Sequence, residues 1–300
     1  MSELRLFVIG AGKTAELSPQ FFKLEREVQT LFEANLETLL GVRFVASEFA
    51  TGQGGRIDTL GIDENGFPVV IEYKLDKNRT VINQGMSYMA WLRSHKAEFW
   101  KVVFEKLGKD AADSIDHSSI RLICIATDFT RDDLGAYELM PNNIDLVRYR
   151  RFGENQLLLE RIQSTESQTV VTASVVGPHK TSTTVKPIAQ VLDEMEARPK
   201  AVYEALRQAI LDQGEDVVES PTKVYIAYKR TRNFASIAAN KAELLLYLHL
   251  DPTKVEIGNR MRDMRGINHF GTGNLEIRIG QLSDVEQALP LIQRAYEGES

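Results

Sequence analysis

The sequence has little cysteine, no clustered histidine and no long apolar run. Cys124 is the single cysteine among 300 residues, so an intrachain disulfide is excluded and a reducing cytoplasm is expected. The five histidines are scattered along the chain, which argues against a zinc site with the usual ligand spacing. No run approaches the roughly 18 apolar residues of a membrane span, and no signal core is visible. We therefore predict a soluble cytoplasmic protein.

A large excess of one charge is also lacking. The net charge is −6, so the whole chain does not resemble a polycation that binds nucleic acid. With 43% apolar residues, 300 residues are ample for about two globular domains. Residues 223–278 are a local exception, since they hold ten Lys and Arg against five acids. That stretch is a candidate phosphate-contacting surface, although an ordinary solvated face has the same composition.

Residues 55–74, GRIDTLGIDENGFPVVIEYK, have the pattern of a β-hairpin. Residues 63–66 form a turn cluster between apolar and β-branched runs. Side chains alternate with period two along a strand, so Glu72 and Lys74 point the same way. Asp58 on the first strand lies roughly opposite them. Two acids and a lysine thereby converge, which suggests a metal site.

Two interpretations of these charges remain open. On an exposed edge hairpin, acid and lysine would pair in water for well under about 1 kcal/mol. However, the neighbouring Ile57, Leu60, Val70 and Ile71 predict a mostly buried hairpin, and buried carboxylates need a partner. The local pattern supports a catalytic or metal site and a structural ion pair about equally.

The segment that starts at Ser18 has the period of a helix. Ser18 is a candidate N-cap, with Pro19 at the first helical position. Apolar side chains then recur every three to four residues as far as Leu39. At 100° per residue Glu25 falls inside this stripe, so we expect its carboxylate to face the core. Glu33 lies near the edge of the stripe and is the alternative acid.

The remaining pattern predicts an α/β protein with a second, smaller domain. Residues 1–163 are expected to form a mixed sheet flanked by helices, with an opening hairpin at residues 1–17. Residues 164–186 are rich in Ser and Thr and have little apolar periodicity, which is typical of a linker. Residues 187–300 alternate helix, strands and helix, as expected for an α+β domain with an antiparallel sheet.

Four elements in this order resemble the PD-(D/E)XK nuclease superfamily, whose fold is that of the restriction endonucleases. They are an acid on a first helix, an acid on a following strand, an E-x-K element and a Q-x-x-x-Y element: Glu25, Asp58, Glu72 to Lys74, and Gln84 to Tyr88. The resemblance covers residues 18–105. The proline that names the motif is absent before Asp58, where Arg56 and Ile57 stand.

The resemblance implies a metal-dependent nuclease that hydrolyses phosphodiester bonds of DNA, with repair and defence as candidate roles. Asp58, Glu72 and the main-chain carbonyl of Tyr73 would hold Mg²⁺ or Mn²⁺. Glu25 would hold a second ion or orient water, and Lys74 would hold the attacking water. The acidic net charge predicts modest DNA affinity, so selectivity is expected to come from DNA structure or from a partner protein.

The resemblance also implies three substrate-binding residues, each with a structural alternative. Gln84 and Tyr88 would position the DNA strand, or they would only fasten the hairpin to the following helix. Arg56 would contact phosphate, or it would pair with Glu48 or Asp58. A catalytically silent nuclease fold that acts as a nucleic-acid-binding or assembly module is the alternative to an enzyme, as is a phosphodiesterase that acts on nucleotides.

Residues 187–300 are similar to family 5655 among the domains of unknown function, which often follows such a nuclease domain. The resemblance implies no activity. Tyr225, Tyr228 and Phe270 interleave with basic residues, which is typical of a nucleic-acid surface. The candidate surface residues are Lys229, Arg230, Arg232, Arg260, Arg262 and Arg265. A module for homodimerisation or partner docking explains the stretch equally well.

Overall fold

The computed structural model describes residues 4–52, 54–75, 81–140, 143–162, 186–239, 243–267 and 269–299. The chain divides into two units, Met1–Thr169 and Val170–Ser300. Their junction and nearly all of the expected linker lie outside the described residues, so the domain limits stay predictions. In the described ranges, none of the helices has the length and apolar character needed to cross a membrane.

The first unit begins with a hairpin and then alternates helices with strands. Its elements in chain order are β1 Leu6–Gly10, β2 Lys13–Leu17, β3 Pro19–Gln20, α1 Glu25–Glu33, α2 Leu36–Leu40, β4 Val42–Ala50, β5 Arg56–Asp63, β6 Pro68–Lys74, α3 Val81–Ser94, α4 Lys96–Leu107, α5 Lys109–Asp113, β7 Arg121–Ala126, α6 Arg131–Tyr137, β8 Ile144–Phe152 and β9 Gln156–Ile162. β1 pairs only with β2 among the described strands.

Seven strands of this unit form a mixed sheet in the order β3-β8-β7-β6-β5-β4, with β9 added to β8. β4, β5 and β6 are antiparallel neighbours, whereas β6, β7 and β8 run parallel. Parallel neighbours need a crossover connection, and α3, α4 and α5 supply it between β6 and β7. β6 therefore lies in the middle of the sheet and is buried from Pro68 to Tyr73.

Both faces of this sheet are covered. Val70, Leu122 and Cys124 pack with side chains of α3 and α4 on one face. Ile71 and Ile123 pack with side chains of α1 and α2 on the other. Burial on both faces explains the continuous apolar run of β7, as expected for a parallel strand. The predicted mixed sheet flanked by helices is confirmed.

The start of the first helix differs from the prediction. Pro19–Gln20 does not open a helix but forms β3, which pairs with β8. Pro19 is compatible with both positions because a short edge strand, like the first turn of a helix, tolerates a missing N–H donor. The helix begins instead at Glu25 and is interrupted at residues 34–35.

The second unit is an antiparallel sheet with helices on one face. Its elements are α7 Ile188–Asp193, α8 Ala197–Leu211, β10 Val218–Pro221, β11 Tyr225–Lys229, β12 Asn233–Ala239, β13 Leu244–Leu248, a 3₁₀ turn at Pro252–Lys254, β14 Met261–Asp263, β15 Leu275–Ile279 and α9 Leu282–Glu297. The strand order is β10-β11-β12-β13-β15-β14. Apolar side chains of all three helices pack on the sheet in one core. The predicted α+β architecture is confirmed.

The basic surface expected on this unit needs correction. Lys229 is only 5% exposed, and Tyr225 and Tyr228 are buried as well, because β11 is an interior strand covered on both faces. Three arginines are paired with acids of the same unit: Arg230 with Asp216, Arg260 with Asp284, and Arg265 with Asp263 and Asp251. Arg232, Arg262 and Phe270 are exposed. Burial thus takes Lys229, Tyr225 and Tyr228 out of the candidate surface, and contacts of the exposed arginines with nucleic acid stay predictions.

His249, which follows β13, is a half-buried titratable group of this unit, and its Nε2 atom is shielded from solvent. Its Nε2 atom has no hydrogen-bond partner in the described part of the chain. Burial, together with the nearby charges of Arg232 and His269, lowers the pKa of His249 to about 4. The histidine is therefore held neutral in the folded state at neutral pH.

Replacing this histidine should change the acid sensitivity of the second unit. Below pH 6.5 the unfolded chain binds a proton that folded His249 does not accept until about pH 4. Stability should therefore fall as the pH drops through that window, by at most about 3 kcal/mol. In His249→Phe we expect a shallower decline, measured by hydrogen exchange in β12 and β13 under mild urea. An unchanged pH slope in the variant would contradict this account.

Candidate active site

The hydrogen-bond ladder between β5 and β6 ends at the pair Thr59 and Ile71, and two carboxylates replace it beyond that point. Asp58 Oδ2 accepts the main-chain N–H of Tyr73 at 3.1 Å. Glu72 Oε1 accepts the main-chain N–H of Asp58 at 3.2 Å. In a continuing antiparallel ladder, carbonyls of the opposite strand accept such bonds. The side chains thus satisfy both donors where the main chains stop pairing.

Glu72 is the most deeply buried charge-bearing group of this site. Its side chain is 0% exposed, and its Oε2 atom has no hydrogen-bond partner among the described residues. Burial, with the adjacent Asp58 carboxylate, raises the pKa of Glu72 to about 8. Burial also raises the pKa of Asp58, opposed by the bond from the Tyr73 N–H and by the charge of Lys74. The exposed-hairpin interpretation is therefore wrong, because β6 is a central strand.

Lys74, the last residue of β6, is joined to the first helix. Its Nζ lies 3.4 Å from Glu25 Oε2, and its side chain is only 12% exposed. Within the part of the chain that the structure describes, Lys74 forms its ion pair with Glu25 and not with Asp58 or Glu72. Glu25 itself is 45% exposed, so the expectation that it faces the core is wrong. The helix begins at Glu25, and the apolar stripe covers only the residues that follow.

The residue of α1 that enters the site is Gln29, which the sequence analysis missed. It is 7% exposed, and its Nε2 donates to the main-chain carbonyl of Asp58 at 2.8 Å. The same nitrogen lies 3.0 Å from Ser47 Oγ and 3.1 Å from Glu33 Oε1. Glu33 also accepts the hydroxyl of Thr59 at 2.6 Å. The available signal was a polar residue inside an otherwise apolar helical stripe.

Gln84 and Tyr88 lie on α3 and fasten the start of β5. Tyr88 Oη accepts the Arg56 main-chain N–H at 3.1 Å and the Gln84 amide at 3.2 Å. This contact holds the backbone two residues before Asp58. The Arg56 side chain is paired with Glu48 at 2.6 Å. The structural alternatives for all three residues are thus present, and their contacts with DNA stay predictions.

The donor atoms of the site fit a hard divalent cation. Glu72 Oε2 is bare, and the one hydrogen bond to the Asp58 carboxylate from described residues goes to Oδ2. Two carboxylate oxygens suit Mg²⁺, which keeps several waters and leaves positions for phosphate. Within the described ranges, no group of three His, Cys, Asp or Glu is arranged to hold a metal ion. Asp58 and Glu72 are thus the two carboxylates that would hold the ion, since Glu25 is paired with Lys74.

The buried acid should reduce stability when no cation is present. In EDTA near pH 7, Glu72→Gln is expected to raise the free energy of unfolding by about 1 to 3 kcal/mol. The amide keeps an acceptor for the Asp58 N–H and removes the ionisable group. Between pH 4.5 and about 8 the folded protein holds a proton that the unfolded chain has lost. Wild-type stability should therefore fall as the pH rises through this window.

Urea unfolding across that pH range measures the effect. Glu37→Gln on the exposed face of α2 is the matched control and should leave the wild-type slope unchanged. A Glu72→Gln protein that is less stable than wild type would show that the carboxylate stabilises the fold.

Comparison with known proteins confirms the resemblance of the second unit. Residues 188–298 match the model of the family described as Domain of unknown function (DUF5655). The chain is also 29% identical to an uncharacterized protein of Haemophilus influenzae, over 98% of this chain and 100% of that protein. Neither the family description nor the name of the relative states an activity.

Solved structures similar to this chain include a repair endonuclease from Pyrococcus abyssi, with 18% identity and a TM-score of 0.26 over 44% of this chain and 49% of that one. A complex named EndoMS-dsDNA2 matches with 22% identity and a TM-score of 0.27, over 45% of this chain and 51% of that one. The chain thus matches about half the length of these structures. The resemblance of residues 18–105 to the PD-(D/E)XK superfamily rests on the sequence elements at Glu25, Asp58, Glu72 to Lys74 and Gln84 to Tyr88.

Proposed function

We propose that the first unit is a cytoplasmic, metal-dependent nuclease that hydrolyses phosphodiester bonds of DNA. The supporting observation is the pair of carboxylates at the end of the β5–β6 ladder, with the bare Glu72 Oε2 beside Asp58. A buried acid with an unpartnered oxygen is costly to the fold. A cation that binds there would remove that cost, and a purely structural ion pair would not leave the oxygen bare.

Asp58 and Glu72 would hold Mg²⁺ or Mn²⁺. When bound, the ion would offset the charge that develops on the scissile phosphate and would lower the pKa of a water molecule. Lys74, the last residue of β6, would donate a hydrogen bond from its ammonium to the attacking water and orient it. Glu25, whose Oε2 lies 3.4 Å from Lys74 Nζ, would hold the lysine at the end of β6.

The substrate would approach past the start of β5. The Arg56 and Glu48 side chains are 67% and 40% exposed, and exposed ion pairs contribute at most about 1 kcal/mol. A DNA phosphate would therefore displace Glu48 from Arg56 at little cost. Gln84 and Tyr88 would keep that strand end in place.

One observation favours the second candidate, a silent nuclease fold that binds nucleic acid or assembles with a partner. Lys74 and Arg56 are each paired with an acid, and so are three arginines of the second unit. A homodimer or a partner-directed complex would supply the DNA affinity that such pairing reduces. Repair and defence both remain candidate roles.

Replacing Lys74 tests catalysis separately from metal binding. Lys74→Met should lower cleavage of DNA by about a hundredfold or more, because it removes the donor that orients water. Its Mg²⁺ and Mn²⁺ affinities should stay near those of wild type. Asp58→Asn should lose both metal binding and cleavage. Calorimetric titration, followed by incubation with single-stranded, duplex and branched DNA, measures both quantities on the same samples.

If wild type binds neither ion and cuts none of these DNAs, the enzyme proposal fails and the silent-fold candidate gains support. Retained cleavage in Lys74→Met would remove the lysine from the mechanism while leaving the metal site intact.

Glu25 has a matched control on its own helix. Glu25→Gln should reduce the cleavage rate, because the charge that holds Lys74 is lost. Glu27→Gln should have a smaller effect, since Glu27 Oε2 accepts main-chain N–H groups of Lys23 and Leu24 and an amide oxygen does the same. Initial rates under saturating Mg²⁺ compare the two. A larger loss in Glu27→Gln would exclude the assigned role of Glu25.

A further inference from the structure

Asp58 is fixed at three atoms, and one of the three contacts comes from a helix. Its N–H donates to Glu72 Oε1, and its Oδ2 accepts from the Tyr73 N–H. Both partners lie on the adjacent strand. Its carbonyl accepts from Gln29 Nε2 of α1 at 2.8 Å. The first two bonds tie Asp58 to β6, and the third ties the start of β5 to the helix.

The orientation of the Gln29 amide follows from its neighbours. The Asp58 carbonyl and the Glu33 carboxylate only accept hydrogen bonds, so the NH₂ group must face them. One proton serves the Asp58 carbonyl, and the other is shared between Ser47 Oγ and Glu33 Oε1 at 3.0 and 3.1 Å. Of the similarly sized side chains, Glu would place a charged oxygen against two acceptors, and Met would offer no donor.

A second branch of the same network reaches β6. Glu33 Oε1 accepts the Thr59 hydroxyl at 2.6 Å, and Thr59 Oγ1 lies 3.4 Å from Tyr73 Oη. Thr59 and Tyr73 are both buried. Burial raises the pKa of Tyr73, so its phenol stays protonated. The network therefore ends on the residue whose main-chain N–H holds the Asp58 carboxylate.

We propose that Gln29, supported by Glu33, is a positioning residue that sets the separation of Asp58 and Glu72 and thereby the cation requirement of the site. The inference rests on the proposed function. Mg²⁺ demands near-ideal octahedral geometry at short metal–oxygen distances, so displacement of one carboxylate weakens Mg²⁺ binding. Softer and less demanding Mn²⁺ is affected less. Gln29 thus acts on metal selectivity without touching the ion or the DNA.

The test compares Gln29→Met with Thr30→Met, an exposed substitution one residue further along the same helix. In metal-free protein, hydrogen exchange of the Tyr73 and Asp58 amides reports directly on the two strand-end bonds. Gln29→Met should speed both by about five- to tenfold, while amides of β7 keep wild-type exchange. Calorimetry should show Mg²⁺ affinity reduced about 10- to 100-fold, with a smaller loss for Mn²⁺, and cleavage should become Mn²⁺-dependent.

Thr59→Val is the second variant. It removes only the supporting branch in a buried, nearly isosteric position, so it should change the same quantities in the same direction by less. If Gln29→Met unfolds, Thr59→Val is compared with Thr30→Met in its place.

The outcomes separate this inference from the proposed function. A wild-type protein that cuts DNA, with Gln29→Met and Thr59→Val indistinguishable from Thr30→Met, overturns the inference alone. Equal losses of Mg²⁺ and Mn²⁺ affinity also overturn it. If wild type neither binds metal nor cuts DNA, the proposed function fails, and the amide exchange still decides whether Gln29 positions Asp58.

Discussion

The first unit depends on a change of hydrogen-bond acceptor where β5 and β6 separate. Beyond the last strand pair, main-chain N–H groups donate to side-chain carboxylates instead of to main-chain carbonyls. Two antiparallel strands cannot part inside a covered sheet unless the N–H groups beyond the last pair find other acceptors. The carboxylates of Asp58 and Glu72 provide them. Other features of the unit support this point: α1 and α3 both hold the start of β5, at Asp58 and at Arg56, and β7 keeps β6 in the interior of the sheet.

Such an arrangement reduces the stability of the fold. The fully buried Glu72 lies beside the partly buried Asp58, and one oxygen of Glu72 has no partner in the described part of the chain. The two apolar cores on the faces of the sheet must offset this, with fully buried side chains such as Ile71 and Leu122. Natural proteins break local rules of polar satisfaction mainly at functional sites. The bare oxygen of Glu72 is the observation that supports the proposed function.

Local patterns predicted the hairpin, while contacts distant in sequence escaped prediction. The turn residues and the period of two were enough to place Glu72 and Lys74 at one strand end, since both signals lie within 20 residues. The environment of Glu25 depended on where its helix starts. The helix start predicted at Ser18 and Pro19 was wrong, because Pro19 suits a helix start and an edge strand equally. Gln29 bonds a carbonyl 29 positions away, and sequence periodicity holds no information about such a bond. Composition likewise counted the basic residues of the second unit without showing which acids neutralise them.

The parallel pairing of β6 with β7 also bears on the order in which the unit is assembled during synthesis. Every side chain of the site belongs to residues 25–88, yet the strand that carries Glu72 and Lys74 gains its second neighbour only from residues 121–126. Crossover contacts of this length form late, because long loops must close first. A nascent chain that ends before β7 therefore contains every side chain of the site, but the sheet that positions them is incomplete. Ordering of the carboxylates then coincides with completion of the sheet.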